Sequence, residues 1–130
     1  MVLVDTSVWV DYFRGTDTPL TQKLDHLLEE ERIVIGDLIL AELLQGFRSE
    51  KDLAAARKII DKLEYRDFAG KEICLKAADN YRWLRTRGIT VRKTIDVIIG
   101  TFCLENGIRL LHNDRDFDPM EKHLGLRVVK

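Results

Sequence analysis

Cysteine is scarce in this sequence: Cys74 and Cys103 are the only two among 130 residues. They stand far apart and outside any metal-ligand spacing, which excludes a disulfide scaffold or a thiolate zinc site. Each falls within an apolar helical pattern, so both are expected as reduced core residues, as suits a cytoplasmic protein. Long hydrophobic runs are missing as well; none approaches the roughly 20 residues of a membrane helix, and no membrane partner is expected. The N-terminus, "MVLVDTSVWV", lacks the basic start and cleavage site of a secretory signal, and Asp5 interrupts its apolar stretch. No charge of one sign prevails, since 21 basic and 22 acidic residues leave a net charge of −1. That balance neither demands nor excludes a nucleic-acid partner. Linkers, internal repeats and low-complexity segments are also absent, so one domain spanning residues 1–130 is the simplest reading.

What remains is an ordinary 45% apolar, 33% charged chain with clear punctuation. Short apolar runs at 2–5, 33–36, 109–113 and in "LRVVK" read as strands, with "YRDFA" (65–69) a weaker one. Between them lie helical patterns. "SVWVDYFRG" stops at Gly15, and "TPLTQKLDHLLEEE" starts on Thr18 as cap with Pro19 at the first helical position. Gly36 and Asp37 read as a turn and an N-cap for "LILAELLQGF". "SEKDLAAARKIIDKL" opens with a Ser49–Asp52 capping box, and a long helix is expected from about Lys71 to Gly88. "TIDVIIGTFCLENG" has Thr94 as its cap and Gly107 as its end, while "DRDFDPMEKHLG" reads as a loop with a helical turn that Asp118 caps at Pro119. Strands alternating with helices, without hairpin turns, predict an α/β fold with a parallel sheet covered by helices on both faces.

The acids sit where apolar runs end or break. Asp5 ends the first strand and Asp114 lies just past the fourth; Glu42 and Asp96 interrupt the two most apolar helices. In open parallel sheets, ligands bind at the carboxyl ends of the strands, where the chain order switches. Helix starts converge on that same edge, so Asp96 and Glu42 can reach it. Taken singly, Asp5 reads equally as an N-cap, Asp96 as a helix-start acid, Glu42 as an outward-pointing side chain and Asp114 as a turn residue. Taken together, four carboxylates around one cavity repel unless something positive resolves the conflict, and a hard divalent cation such as Mg²⁺ or Mn²⁺ does so with oxygen ligands.

"VLVDTSVWVDYFRG", "LILAELLQG", "TIDVIIGTFCLENG" and "RLLHNDRDFD" together resemble the PIN-domain proteins, and more narrowly the VapC group of toxin–antitoxin ribonucleases. The resemblance runs over nearly the full chain. It implies a three-layer α/β/α sandwich with a central parallel sheet of four to five short strands, and metal-dependent RNA cleavage under the control of a cognate antitoxin. The family's acidic quartet falls on Asp5, Glu42, Asp96 and Asp114; Thr6 matches a hydroxyl near the metal, and Asp116 matches an outer ligand. Where many relatives carry Thr or Ser two positions before the fourth acid, this chain has His112, which reads either as a structural residue or as a contact to substrate or water.

In this reading the acids hold Mg²⁺ or Mn²⁺, with Asp5 and Asp96 as the leading ligands, Asp114 completing the inner or outer shell, and Glu42 either ligating or orienting the attacking water. No Ser–His–Asp or Cys–His set supplies a protein nucleophile. Arg85, Arg87, Arg92 and Lys93 crowd the loop before the Asp96 helix, and Arg14 and Arg115 follow the first and fourth acids; all six are candidates for RNA phosphates, or else a solvated charged surface. The resemblance further implies a homodimer. Trp9, Tyr12 and Phe13 are either core packing or antitoxin contacts. Alternatives are a PIN-type nuclease acting in RNA processing or on DNA, a phosphate-binding receiver module, and an inactive binding module. The receiver needs a strand-end lysine that this chain lacks, and an inactive module does not need all four acids.

Overall fold

The computed structural model of the protein describes residues 1–130. Four parallel strands form the centre: β1 (Val2–Val4), β2 (Ile33–Gly36), β3 (Glu64–Arg66) and β4 (Arg109–Leu111), in the order β3-β2-β1-β4. β1 has a neighbour on each side, and Val2, Leu3 and Val4 are all wholly buried, which is why that strand is uniformly apolar rather than alternating. The chain passes from β1 to β2 on one side and later returns to β4 on the other. Its order therefore reverses beside β1, the place where an open parallel sheet leaves a crevice at its carboxyl edge.

Seven α-helices flank the sheet. One group is built on α1 (Thr6–Phe13), which packs on α2 (Pro19–Glu30) and α3 (Asp37–Gln45); α4 (Glu50–Ile60) follows in the chain. The other is the pair α5 (Lys71–Thr86) and α6 (Thr94–Asn106), with a 3-10 turn at Arg115–Phe117 and α7 (Asp118–Leu124) beside it. α6 is buried nearly all round, from Asp96 through Cys103, which explains its apolar sequence without a polar face. Trp9 is fully buried and stacks on Phe13, its centroid 5.5 Å away, so the first helix uses its aromatics chiefly for packing. Tyr12 and Phe13 are half-buried against the same core. No helix is long and apolar enough to cross a membrane.

Several local expectations are corrected. Cys74 is exposed, while Cys103 is buried as expected. "LRVVK" does not form a strand and contributes one parallel bridge, Val128 to Leu110. β3 starts earlier and is shorter than "YRDFA". α6 begins at Thr94 itself, its N-cap being Lys93 without a side-chain cap bond. Asp37 lies inside α3 behind the capping Gly36; its Oδ1 instead accepts the N–H groups of Leu38 and Phe68, each at 2.9 Å. Asp118 is likewise the first residue of α7 and not its cap. The reciprocal capping box forms at Thr18 and Thr21, whereas Ser49 makes only its own bond, to the Asp52 N–H at 3.2 Å.

Candidate metal centre

The carboxyl edge of the sheet collects side chains from distant stretches. β1 runs straight into Asp5, whose N–H donates to the Leu111 carbonyl at 2.9 Å and ties the end of β1 to the end of β4. Asp5 is also the N-cap of α1, its Oδ2 accepting the Ser7 N–H at 3.1 Å and the Ser7 hydroxyl at 2.7 Å. The N-cap reading of that residue therefore holds. Ser7 Oγ in turn accepts the Asn113 N–H at 3.0 Å, so one hydroxyl links the first acid to the segment that carries the fourth. Sequence reasoning missed Ser7, although an Asp-x-Ser at a strand-to-helix junction is a capping pattern.

Past β4, His112 Nδ1 accepts the Asp114 N–H at 3.1 Å, and its ring lies against Phe117 with centroids 4.9 Å apart. Burial lowers the His112 pKa, which favours the neutral ring that can accept this bond. Asp114 Oδ1 then accepts the Asp116 N–H at 2.9 Å, opening the 3-10 turn. Asp96 enters from the first turn of α6. Carboxylate oxygens of Asp96, Asp114 and Asp116 all lie within 4.8 Å of one another.

This tight group differs from the expected quartet. Asp116, read as an outer ligand, stands inside it. Asp5 stands at one remove, near enough for its charge to act on Asp96 and to be felt alongside Asp114. Glu42 is half-buried one turn into α3, and its Oε1 accepts the Thr6 hydroxyl at 3.0 Å. A neutral hydroxyl from the residue after Asp5 is thus what holds the acid of the apolar helix.

The electrostatics follow from burial. Asp96 is 5% exposed, and burial, reinforced by the charges of Asp5 and Asp114, pushes its pKa to about 7 against the pull of Lys93. Burial also raises Asp5, although the Ser7 bonds oppose it. At Asp114 burial works upward, yet the Lys93 bond and the Asp116 N–H prevail and its pKa is lowered. Asp96 Oδ2 and Asp116 Oδ2 are both buried without a hydrogen-bond partner. An orphaned oxygen of this kind costs about 1–3 kcal/mol, and more when charged. A hard cation removes the deficit, because Mg²⁺ and Mn²⁺ take a few carboxylate oxygens and complete their shell with water. The donor set fits such an ion and offers no thiolate or free imidazole for a softer one.

The six basic candidates divide. Lys93 Nζ lies 2.9 Å from Asp114 Oδ2 and 3.8 Å from Asp96 Oδ2, and Arg92 Nε lies 3.4 Å from Asp116 Oδ1. Arg115 is exposed in the 3-10 turn between two of the acids. Arg14 joins Arg48 and Glu42 in lining a groove of about 420 Å³. Arg85 and Arg87 are occupied elsewhere, over the rings of Tyr81 and Trp83 at 5.6 and 3.4 Å. The largest cavity, about 610 Å³, opens near the start of β2 among Leu28, Arg32, Ile33 and Leu63 and touches none of the acids discussed above.

Known proteins resemble the chain in sequence and in fold. The family described as "PIN domain" matches residues 2–122. The chain is 32% identical over 131 residues to "Ribonuclease VapC11" of Mycobacterium tuberculosis, covering 99% of this chain and 98% of that protein. It is equally similar to "VapC ribonuclease Mb1587" of Mycobacterium bovis. In fold it is similar to the DNA-bound VapBC of Salmonella typhimurium, with a TM-score of 0.76, 20% identity and coverage of 99% and 98% of the two chains. The promoter-bound VapBC2 of Rickettsia felis gives a TM-score of 0.74 at 19% identity, with the same coverage.

Proposed function

The chain belongs to the PIN-domain family, and from that premise we propose that it is a divalent-metal-dependent endoribonuclease, the toxin of a VapBC-type toxin–antitoxin pair. One observation carries the chemistry: a carboxylate oxygen from each of Asp96, Asp114 and Asp116 lies within 4.8 Å of the others, and Asp96 Oδ2 is buried and unpartnered. Three acids from two separated segments do not crowd together in a fold by default, since their repulsion raises its free energy.

Asp96, Asp114 and Asp116 hold the ion, Mg²⁺ or Mn²⁺, with Asp5 beside them. When bound, such an ion supplies a water of lowered pKa and positive charge for the scissile phosphate. The chain's own groups do the rest. Ser7 fixes the Asp5 carboxylate, and Thr6 fixes Glu42 for orienting the attacking water. Lys93, Arg92 and Arg115 bring cations to the phosphate at the same edge, and Arg14 offers one along the Glu42 groove. With water as the nucleophile, the products carry 5′-phosphate and 3′-hydroxyl ends. Inhibition by a cognate antitoxin, supported by the VapBC complexes that the fold resembles, completes the reading, together with homodimer formation and a cytoplasmic location.

The test is sequencing of RNA ends after brief expression of the wild type beside Asp96→Asn. Asp96→Asn keeps the shape and removes the charge, so cleavage falls about a hundredfold or more while the circular-dichroism spectrum is unchanged. Wild-type-like cleavage by the variant in Mg²⁺ removes the mechanism.

A further inference from the structure

We propose that Lys93 is the exchangeable cation of this site: its ammonium holds Asp114 and Asp96 when no divalent ion is bound, and is released to the RNA phosphate when those oxygens are taken. The inference rests on the metal-binding reading above and deepens it.

Three features of the geometry point to exchange rather than to a permanent ion pair. First, Lys93 Nζ sits 2.9 Å from Asp114 Oδ2 and 3.8 Å from Asp96 Oδ2. Asp114 Oδ1 is committed to the Asp116 N–H, so Oδ2 is the oxygen left for a cation, and Asp96 Oδ2 has no hydrogen-bond partner. The ammonium therefore addresses the same oxygens that an ion needs. Second, the Lys93 side chain is 54% exposed, whereas those of Asp96 and Asp114 are 6% and 17% exposed. Its charge approaches from the solvent side, on a flexible four-carbon stem that can withdraw. Third, the fold uses Lys93 through its backbone as the N-cap of α6, and the side chain makes no cap bond there. Withdrawal leaves the helix start intact.

Charge decides the direction. One ammonium offsets a single carboxylate in a cluster of three with Asp5 nearby, and its two neighbours still carry orphaned oxygens. A divalent ion held by Asp96, Asp114 and Asp116 would offset twice as much and would repel a second cation from the same oxygens. Arg92 addresses a different oxygen, Asp116 Oδ1 at 3.4 Å, and neither Asp96 Oδ2 nor Asp114 Oδ2. Once displaced, the Lys93 ammonium remains tethered at the mouth of the site, where a phosphate arrives as its replacement anion.

The experiment is calorimetric titration of Mn²⁺ into the full-length wild type, Lys93→Gln and Lys93→Arg, with melting temperatures in chelator alongside. Lys93→Gln binds Mn²⁺ about three- to tenfold more tightly, because no internal cation competes. In chelator the same variant melts lower, and its RNA binding in metal shows a salt slope reduced by about one. Lys93→Arg keeps the charge and stays near the wild type in Mn²⁺ affinity, which separates charge from packing. Equal or weaker Mn²⁺ affinity in Lys93→Gln, against a wild type that binds, overturns this inference alone. A wild type that takes up no Mn²⁺ overturns the metal-binding reading and this one with it.

Discussion

Ser7 Oγ ties the first acid to the segment that carries Asp114, donating to Asp5 Oδ2 at 2.7 Å and accepting from the Asn113 N–H at 3.0 Å. Removing it takes one of two Ser7 donors from a carboxylate that burial already strains. Ser7→Ala is expected to cost about 1 kcal/mol in urea denaturation and to slow RNA cleavage about tenfold, while Ser7→Thr keeps most of both. Lost stability with unchanged cleavage would assign the hydroxyl to the fold only. The acids themselves were readable because a carboxylate in an apolar run is conspicuous; Asp5, Asp96 and Glu42 all stand out that way. Ser7 does not, since a small polar residue at a helix start is ordinary. Asp116 is legible through the resemblance, but only as an outer ligand. In "NDRDFD" three aspartates alternate, and only the 3-10 turn at Arg115–Phe117 brings the middle one against Asp96 and Asp114.

Among the elements, the junction of β2 and α3 depends on a hydrogen atom. A Cβ built on Gly36 would meet the Phe68 ring at 2.4–2.5 Å, and Phe68 is wholly buried with its centroid 4.5 Å from that of Phe102. The backbone there is extended, at φ −130°, so the demand is for space and not for a left-handed turn. Gly36→Ala must therefore push an aromatic ring out of a packed layer, and a loss of about 1–3 kcal/mol is expected by thermal or urea denaturation. The parallel Gly100→Ala meets Met120 Sδ at 2.4 Å, but a thioether yields more easily than a ring, and a smaller loss is expected. A melting temperature of Gly36→Ala at or above the wild type would show that the ring has room. Strands and helices were legible where the pattern is local: buried runs for β1 and β2, and proline with threonine for the start of α2. They were less legible where a neighbour decides. "LRVVK" is as apolar as β4, yet it meets the sheet at one bridge, and Cys74 lies in an apolar pattern on the open side of α5.

At the scale of the molecule, folding gathers like charges that the unfolded chain keeps apart. Strand order could be inferred only as far as a parallel sheet; that the chain reverses beside β1 and thereby brings Asp5 to Asp114 is a property of the assembled sheet. The cost of that gathering has a sign that can be followed with pH. The folded Asp96 carboxyl, facing Asp5, Asp114, Asp116 and Lys93, releases its proton only near pH 7, while the unfolded chain releases it near 3.8. Between those values the folded state holds the extra proton, so stability falls as pH rises through the window and levels off above it. In chelator, the wild type therefore loses melting temperature relative to Asp96→Asn from about pH 4 to about pH 7, with no further divergence at pH 8. A bound divalent ion reverses the balance, since ligands must be deprotonated and an ion bound only to the folded state stabilises it by about 2.7 kcal/mol at a hundredfold excess over Kd. The rise in melting temperature on adding Mg²⁺ should thus be larger at pH 8 than at pH 6 for the wild type, and small at both for Asp96→Asn. Differential scanning fluorimetry over four conditions measures it. Equal Mg²⁺ gains for the two proteins would mean that the ion binds without Asp96, and the buried acid would then need another partner.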